Sequence, residues 1–171
     1  MNDRGGSEIN EKQGQFAMSA YTGRCHCGAV RFQVELNLAA GTGKCNCSYC
    51  GRVRLWFARA APEDYRVEAG KGALSEYQGG NGVAQHFFCA RCGNHVYDYV
   101  DAPNLTGQPY VNVNPACLEN VAVDELLASP VRYFDGLPDA WNETPSETRH
   151  LKWFERRRTD AACRERNGDL R

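Results

Sequence analysis

The chain has 171 residues, with 20 Lys+Arg against 21 Asp+Glu and a formal net charge of -1. That length suits one domain with short tails, and the near-neutral balance excludes an overall drive toward nucleic acid or an anionic membrane, so partners have to be sought at particular sites. No apolar run approaches the roughly 18–20 residues needed to cross a bilayer, and the polar N-terminus lacks the basic-then-apolar order of an export signal, so a soluble cytoplasmic protein without a membrane partner is expected.

Residues 1–20 are polar and Gly-rich without apolar periodicity and read as a disordered leader, with Met18 as an alternative start. A single domain is expected over 21–145. Its first strong signal is Ala29-Val30-Arg31-Phe32-Gln33-Val34-Glu35-Leu36, whose period of two places Val30, Phe32, Val34 and Leu36 on one face of a half-buried strand. Further short strands are expected at 55–59, 65–68, 73–77, 84–88, 95–100 and 110–114, separated by Gly, Pro and Asn punctuation. Helical pattern is scarce, with one or two turns expected over 123–129 before Pro130. Residues 146–171 form a charged tail carrying Arg156-Arg157-Arg158 among acidic residues. Without an accompanying motif those arginines point to no nucleic-acid partner. The fold class is mainly β with short strands.

Nine cysteines in a chain without an export signal suggest metal binding more than disulfides. Seven fall into tight clusters, Cys25-x-Cys27, Cys45-x-Cys47-x-x-Cys50 and Cys89-x-x-Cys92, while Cys117 and Cys163 stand alone. Such short turns let two thiolates from one loop reach one zinc ion while backbone N–H groups steady the sulfurs. Seven thiolates are too many for one four-thiolate site and one short of two. One partition sets Cys25, Cys27, Cys89 and Cys92 as a closed structural site and leaves Cys45, Cys47 and Cys50 with an exchangeable position, as catalytic zinc sites have. The other makes both sites structural, with Cys117, His26 or His95 as the eighth ligand; spacing leaves both open.

Three blocks, Gly23-Arg24-Cys25-His26-Cys27-Gly28-Ala29-Val30-Arg31-Phe32, Cys45-Asn46-Cys47-Ser48-Tyr49-Cys50 and Phe87-Phe88-Cys89-Ala90-Arg91-Cys92-Gly93, resemble in order and spacing the signature of the glutathione-dependent formaldehyde-activating enzyme family. Tyr133-Phe134-Asp135-Gly136 is similar to its closing motif, and the resemblance runs from Tyr21 to Trp141. It implies a β-tent of small coiled antiparallel sheets stapled by zinc, a structural zinc on Cys25, Cys27, Cys89 and Cys92, and a catalytic zinc on Cys45, Cys47 and Cys50, two ions in all. Asn46 stands where many members carry His, and Gly51-Arg52-Val53-Arg54-Leu55-Trp56 replaces a longer small-residue stretch.

The implied activity is that of a carbon–sulfur lyase acting on a glutathione or other thiol–aldehyde adduct, in the manner of S-hydroxymethylglutathione synthesis. Metal coordination would deliver a substrate thiol as thiolate, or polarise a carbonyl. Arg52 and Arg54, just after the cysteine trio, are candidate grips for a glutathione carboxylate, against the plainer reading that they are surface charges. Tyr49, Trp56 and Phe57 are candidate pocket walls. No general acid or base stands out. A different class, a non-enzymatic zinc-binding interaction module, competes with the enzyme; a fourth protein ligand on the trio would favour it.

Overall fold

The structure, a computed structural model, describes residues 18–79 and 82–151. Cys163, the triple-arginine segment and residues 1–17 of the expected leader lie outside the described residues. The strands are β1 (Ser19–Arg24), β2 (Arg31–Leu36), β3 (Thr42–Cys45), β4 (Trp56–Ala60), β5 (Tyr65–Ala69), β6 (Leu74–Gln78), β7 (Ala84–Cys89), β8 (His95–Val100), β9 (Tyr110–Val113) and β10 (Val131–Phe134). Short helices α1 (Cys50–Val53), α2 (Pro103–Thr106) and α3 (Val123–Ala128) lie in the connections. The protein is mainly β, and every strand expected from periodicity is present within a residue or two of its expected bounds.

Two sheets form, a three-stranded one in the order β1-β2-β5 and a seven-stranded one in the order β10-β3-β4-β9-β8-β7-β6. All neighbours are antiparallel except β10, which runs parallel to β3 with Phe134 beside Cys45. That departure from a purely antiparallel design arises because the chain leaves β9 in the middle of the sheet and runs through α3 to the edge beyond β3, a crossover that a tight hairpin cannot make. Val30, Phe32, Val34 and Leu36 of the alternating segment are all essentially buried. Each such side chain contributes about 1.5–3 kcal/mol on leaving water. With Val96, Val111 and Val113 they form the main core, and Cys25 and Cys89 belong to it.

A second, smaller cluster gathers Cys45, Cys50, Leu55 and Phe57, with Phe134 and Trp141 packed on it. β3 was invisible to pattern reading because all four of its residues are buried, so it shows no alternation. Ser19 and Ala20, assigned by sequence to the leader, already pair with Leu36 and Glu35 in β1. At the other end Leu151, assigned to the tail, is buried, and its carbonyl accepts a hydrogen bond from Lys44 Nζ at 3.0 Å. Among the described residues no helix is long and apolar enough to cross a membrane.

Candidate metal centres and the cavity beside the cysteine trio

The two cysteine pairs sit on equivalent hairpin turns in different sheets. In the β1–β2 turn the Cys25 N–H bonds to Val30 O; in the β7–β8 turn the Cys89 N–H bonds to Asn94 O. Each pair ends on a glycine of positive φ, Gly28 at 73° and Gly93 at 70°, whose N–H returns to the carbonyl of the first cysteine. A left-handed residue is what closes so tight a turn, which is why glycine follows each pair. The turns bring the four sulfurs within 4.8 Å of one another. Cys25 Sγ and Cys27 Sγ are 3.6 Å apart, Cys27 Sγ and Cys89 Sγ 3.7 Å. Sulfurs on a tetrahedral zinc at about 2.3 Å stand about 3.7–3.8 Å apart, so the donor set fits the ion. The backbone N–H groups of Asn94 and Cys27 lower Cys92 to about 6, favouring thiolate.

Cys45, Cys47 and Cys50 span the end of β3 and the start of α1, their sulfurs also within 4.8 Å of one another. The Cys47 N–H donates to Cys45 Sγ at 3.3 Å, and the Cys50 N–H donates to Cys47 Sγ at 3.4 Å, the pattern of a loop wound around an ion. Proton sharing sets the three thiols against each other. Contact with Cys47 holds Cys45 up at about 11, contact with Cys45 and then Cys47 pushes Cys50 up, and the hydrogen bond from Cys45 holds Cys47 down near 2. Three sulfurs so close cannot all ionise alone; a divalent cation would resolve the conflict.

Among the described residues the trio groups with no further Cys, His, Asp or Glu. Cys117 lies instead near the four-cysteine cluster, where its Sγ–H is within reach of Asn94 Oδ1 at 3.3 Å and His95 O at 3.5 Å; burial pushes it up to about 12. His26 uses its backbone N–H, bonding to Asn94 Oδ1 at 3.2 Å. His95 is engaged by Asp98. None of the three candidates for an eighth ligand is therefore placed at the trio.

The trio opens on a cavity of about 480 Å³, within the usual range of small-molecule sites. Tyr49 and Phe57 line it as expected, joined by Phe134, Gly136 and Trp141 from the closing segment; Trp56 is not part of the lining. Gly136 is pressed against the trio: a Cβ there would come within 2.8 Å of Cys45 Sγ and 2.6 Å of Trp141. Asn46 ties the same segment down, donating from Nδ2 to Asp135 Oδ1 at 2.6 Å and accepting the Leu137 N–H at 3.0 Å. Asn46 thus fastens the closing segment, which lines the cavity, to the loop of the trio.

Neither Arg52 nor Arg54 lines the cavity; their guanidinium groups bond to the carbonyls of Ser48 and His150. The arginine that does is Arg59 of β4, stacked with its guanidinium carbon 3.9 Å from the centroid of Tyr110. It begins a polar row that sequence reasoning missed. Cross-strand pairing sets Arg59 opposite Asn112, Asn112 opposite Asp98, Asp98 opposite His86 and His86 opposite Tyr77, one residue from each of five neighbouring strands. Arg59, Asn112, Asp98 and His86 all line the cavity. Burial raises the Asp98 carboxyl, but hydrogen bonds from His86 and His95 outweigh it and hold the group below its ordinary value, as carboxylate. The signal was present in β8, His95-Val96-Tyr97-Asp98-Tyr99-Val100, where an acid occupies a position whose period-two neighbours Val96 and Val100 are buried.

The protein is thus a β-fold carrying two clusters of cysteine thiols, each of which could hold a metal ion. The family model described as glutathione-dependent formaldehyde-activating enzyme matches residues 20–133, and the chain belongs to that family. It is also similar to a solved protein from Rhodobacter sphaeroides, with 38% identity and a TM-score of 0.55, over 64% of this chain and 98% of that one.

Proposed function

We propose that the protein is a cytosolic zinc enzyme of the carbon–sulfur lyase class, forming or cleaving an adduct of a thiol such as glutathione with an aldehyde such as formaldehyde. Cys25, Cys27, Cys89 and Cys92 would hold one structural zinc, and Cys45, Cys47 and Cys50 a second, catalytic one. The observation that carries this reading is a three-thiol cluster without a fourth ligand among the described residues, opening on a cavity. When bound, that second zinc supplies the charge that keeps three crowded sulfurs ionised and a coordination position for a substrate sulfur.

The chain's own residues do the rest. Forming the adduct joins the thiol sulfur to the aldehyde carbon, with the thiol proton lost and a proton gained on the carbonyl oxygen; cleavage is the reverse. Phe57, Phe134 and Trp141 make the cavity wall apolar, which shields the reacting atoms from bulk water. Arg59, whose guanidinium lies over the Tyr110 ring and lines the cavity, would take a substrate carboxylate, a role the sequence had offered to Arg52 and Arg54.

Zinc counting and a cobalt-substituted protein test this together. Freshly purified protein should hold close to two zinc ions, a count that Cys117→Ser and Cys163→Ser leave unchanged. Glutathione should alter the absorption of the cobalt form, because a new sulfur ligand changes the metal's coordination. A reproducible content of one ion, or a cobalt spectrum indifferent to every thiol tried, counts against the reading. Arg59→Ala should raise KM for glutathione about tenfold or more while scarcely changing KM for a thiol without carboxylates, since a charge-assisted hydrogen bond is worth about 1.5–3 kcal/mol. Equal losses on both thiols would remove Arg59 from the substrate contacts.

A further inference from the structure

Asp98 and His86 of the polar row form, together with His95, a His–Asp–His group that the cysteine chemistry does not use. His86 Nδ1 and His95 Nε2 each lie 2.7 Å from the same oxygen, Asp98 Oδ1. Asp98 is 1% exposed and His86 6%. A carboxylate only accepts hydrogen bonds, so both ring nitrogens must be donors to it. In the neutral His86 ring the proton is therefore on Nδ1, and the lone pair is on Nε2. The contact of the ring with Asp98 runs through Nδ1, so Nε2 stands on the far side of the ring from that carboxylate. His86 lines the cavity, and its ring stacks on Tyr49, centroids 3.6 Å apart and planes at 15°. Tyr49 stands in sequence between Cys47 and Cys50, so one ring separates the imidazole from the trio's loop.

The sheet is bent to build this group. Residues three apart on a regular strand face opposite sides, yet His95 and Asp98 share one. Phe87 pairs with Tyr97 but Phe88 with His95, which leaves Val96 as an extra residue and turns His95 back onto the Asp98 face. The three atoms also sit too close for a third metal centre. Ligand N and O atoms on a tetrahedral zinc stand about 3.3 Å apart, whereas these contacts have hydrogen-bond length.

We propose that His86 is the proton-transferring residue of the cavity, oriented by Asp98, which His95 in turn fixes in place; this rests on the thiol-adduct reading. In cleavage His86 Nε2 takes the hydroxyl proton of the hemithioacetal, the carbonyl forms, the carbon–sulfur bond breaks and the sulfur leaves with the electron pair as thiolate. In formation the thiolate attacks the aldehyde carbon as the protonated ring returns its proton to the oxygen. His86 is thus a catalytic residue, and Asp98 and His95 are positioning residues.

The test compares zinc-loaded wild type with His86→Gln. Turnover of the glutathione–formaldehyde adduct should fall about 10²–10⁴-fold, with partial recovery on adding imidazole. Zinc content and the glutathione response of the cobalt form should stay as in wild type. Turnover within twofold of wild type overturns the proposal while leaving the lyase reading intact, and loss of an ion overturns it in favour of a role in metal binding. A wild type that turns over no adduct defeats the lyase reading and this role together, before any variant is made. Should His86→Gln not fold, ¹⁵N spectra of the wild-type ring decide: Nδ1 protonated and Nε2 bearing the lone pair is required, and the opposite tautomer overturns the assignment.

Discussion

Cys92→Ser is expected to prevent stable folding rather than merely lower activity. Cys25 and Cys27 lie on the turn between β1 and β2 of the three-stranded sheet, Cys89 and Cys92 at the turn between β7 and β8 of the seven-stranded one. An ion held by all four would tie the two sheets together at their hairpin tips. Apparent zinc binding in small structural sites is worth about 10–16 kcal/mol, as large as the roughly 5–15 kcal/mol by which a whole domain is stable. Losing one ligand need not forfeit all of that, but the substitution also leaves Cys25 and Cys89, both fully buried, facing a weakened site. Insoluble protein, or a soluble one with a melting temperature lowered by ten degrees or more and less than one retained ion at this site, is the predicted result. A soluble Cys92→Ser variant that melts with wild type would show that the four sulfurs hold no structural ion.

How much of this was readable beforehand follows from what each residue's signal depends on. The alternation in β2 was legible because one face meets the core and the other meets solvent, so burial imprints a period of two on Arg31–Leu36. In β3 both faces are covered and the imprint vanishes. The cysteine turns were legible because chelation by one loop demands short spacing, which sequence records directly. The polar row was not, because Arg59, Asn112, Asp98 and His86 come from four strands and meet only through register. Proximity in sequence favoured Arg52 and Arg54, yet the left-handed Arg54 ends α1 and the chain then turns into β4, where Arg59 is the arginine lining the cavity. The bulge at Val96 is a further case: without it His95 would point away from Asp98, and nothing in the local residue types announces the extra residue.

The sharpest separation between an enzyme and a non-enzymatic zinc module is expected from Cys47→Ser, which should abolish turnover of a thiol–aldehyde adduct while the β-fold survives. Cys47 is the hinge of the trio: its N–H donates to Cys45 Sγ and its sulfur accepts the N–H of Cys50. Serine oxygen is a poor substitute for a zinc thiolate, so the second ion should be lost or loosely held. The trio belongs to the smaller cluster with Leu55 and Phe57, whereas Val30, Phe32, Val34, Leu36, Val96 and Val113 make a separate core that includes Cys25 and Cys89. Damage at Cys47 should therefore spare most of the buried apolar surface, leaving one zinc per chain, a far-ultraviolet spectrum like that of wild type and at least a thousandfold less turnover. The module reading requires the reverse: a trio that is purely structural should unfold the domain when Cys47 is lost, and wild type should turn over no adduct at all. Measuring zinc content, melting temperature and adduct turnover on the same preparation distinguishes the two, because only an ion placed for chemistry lets activity and folding come apart.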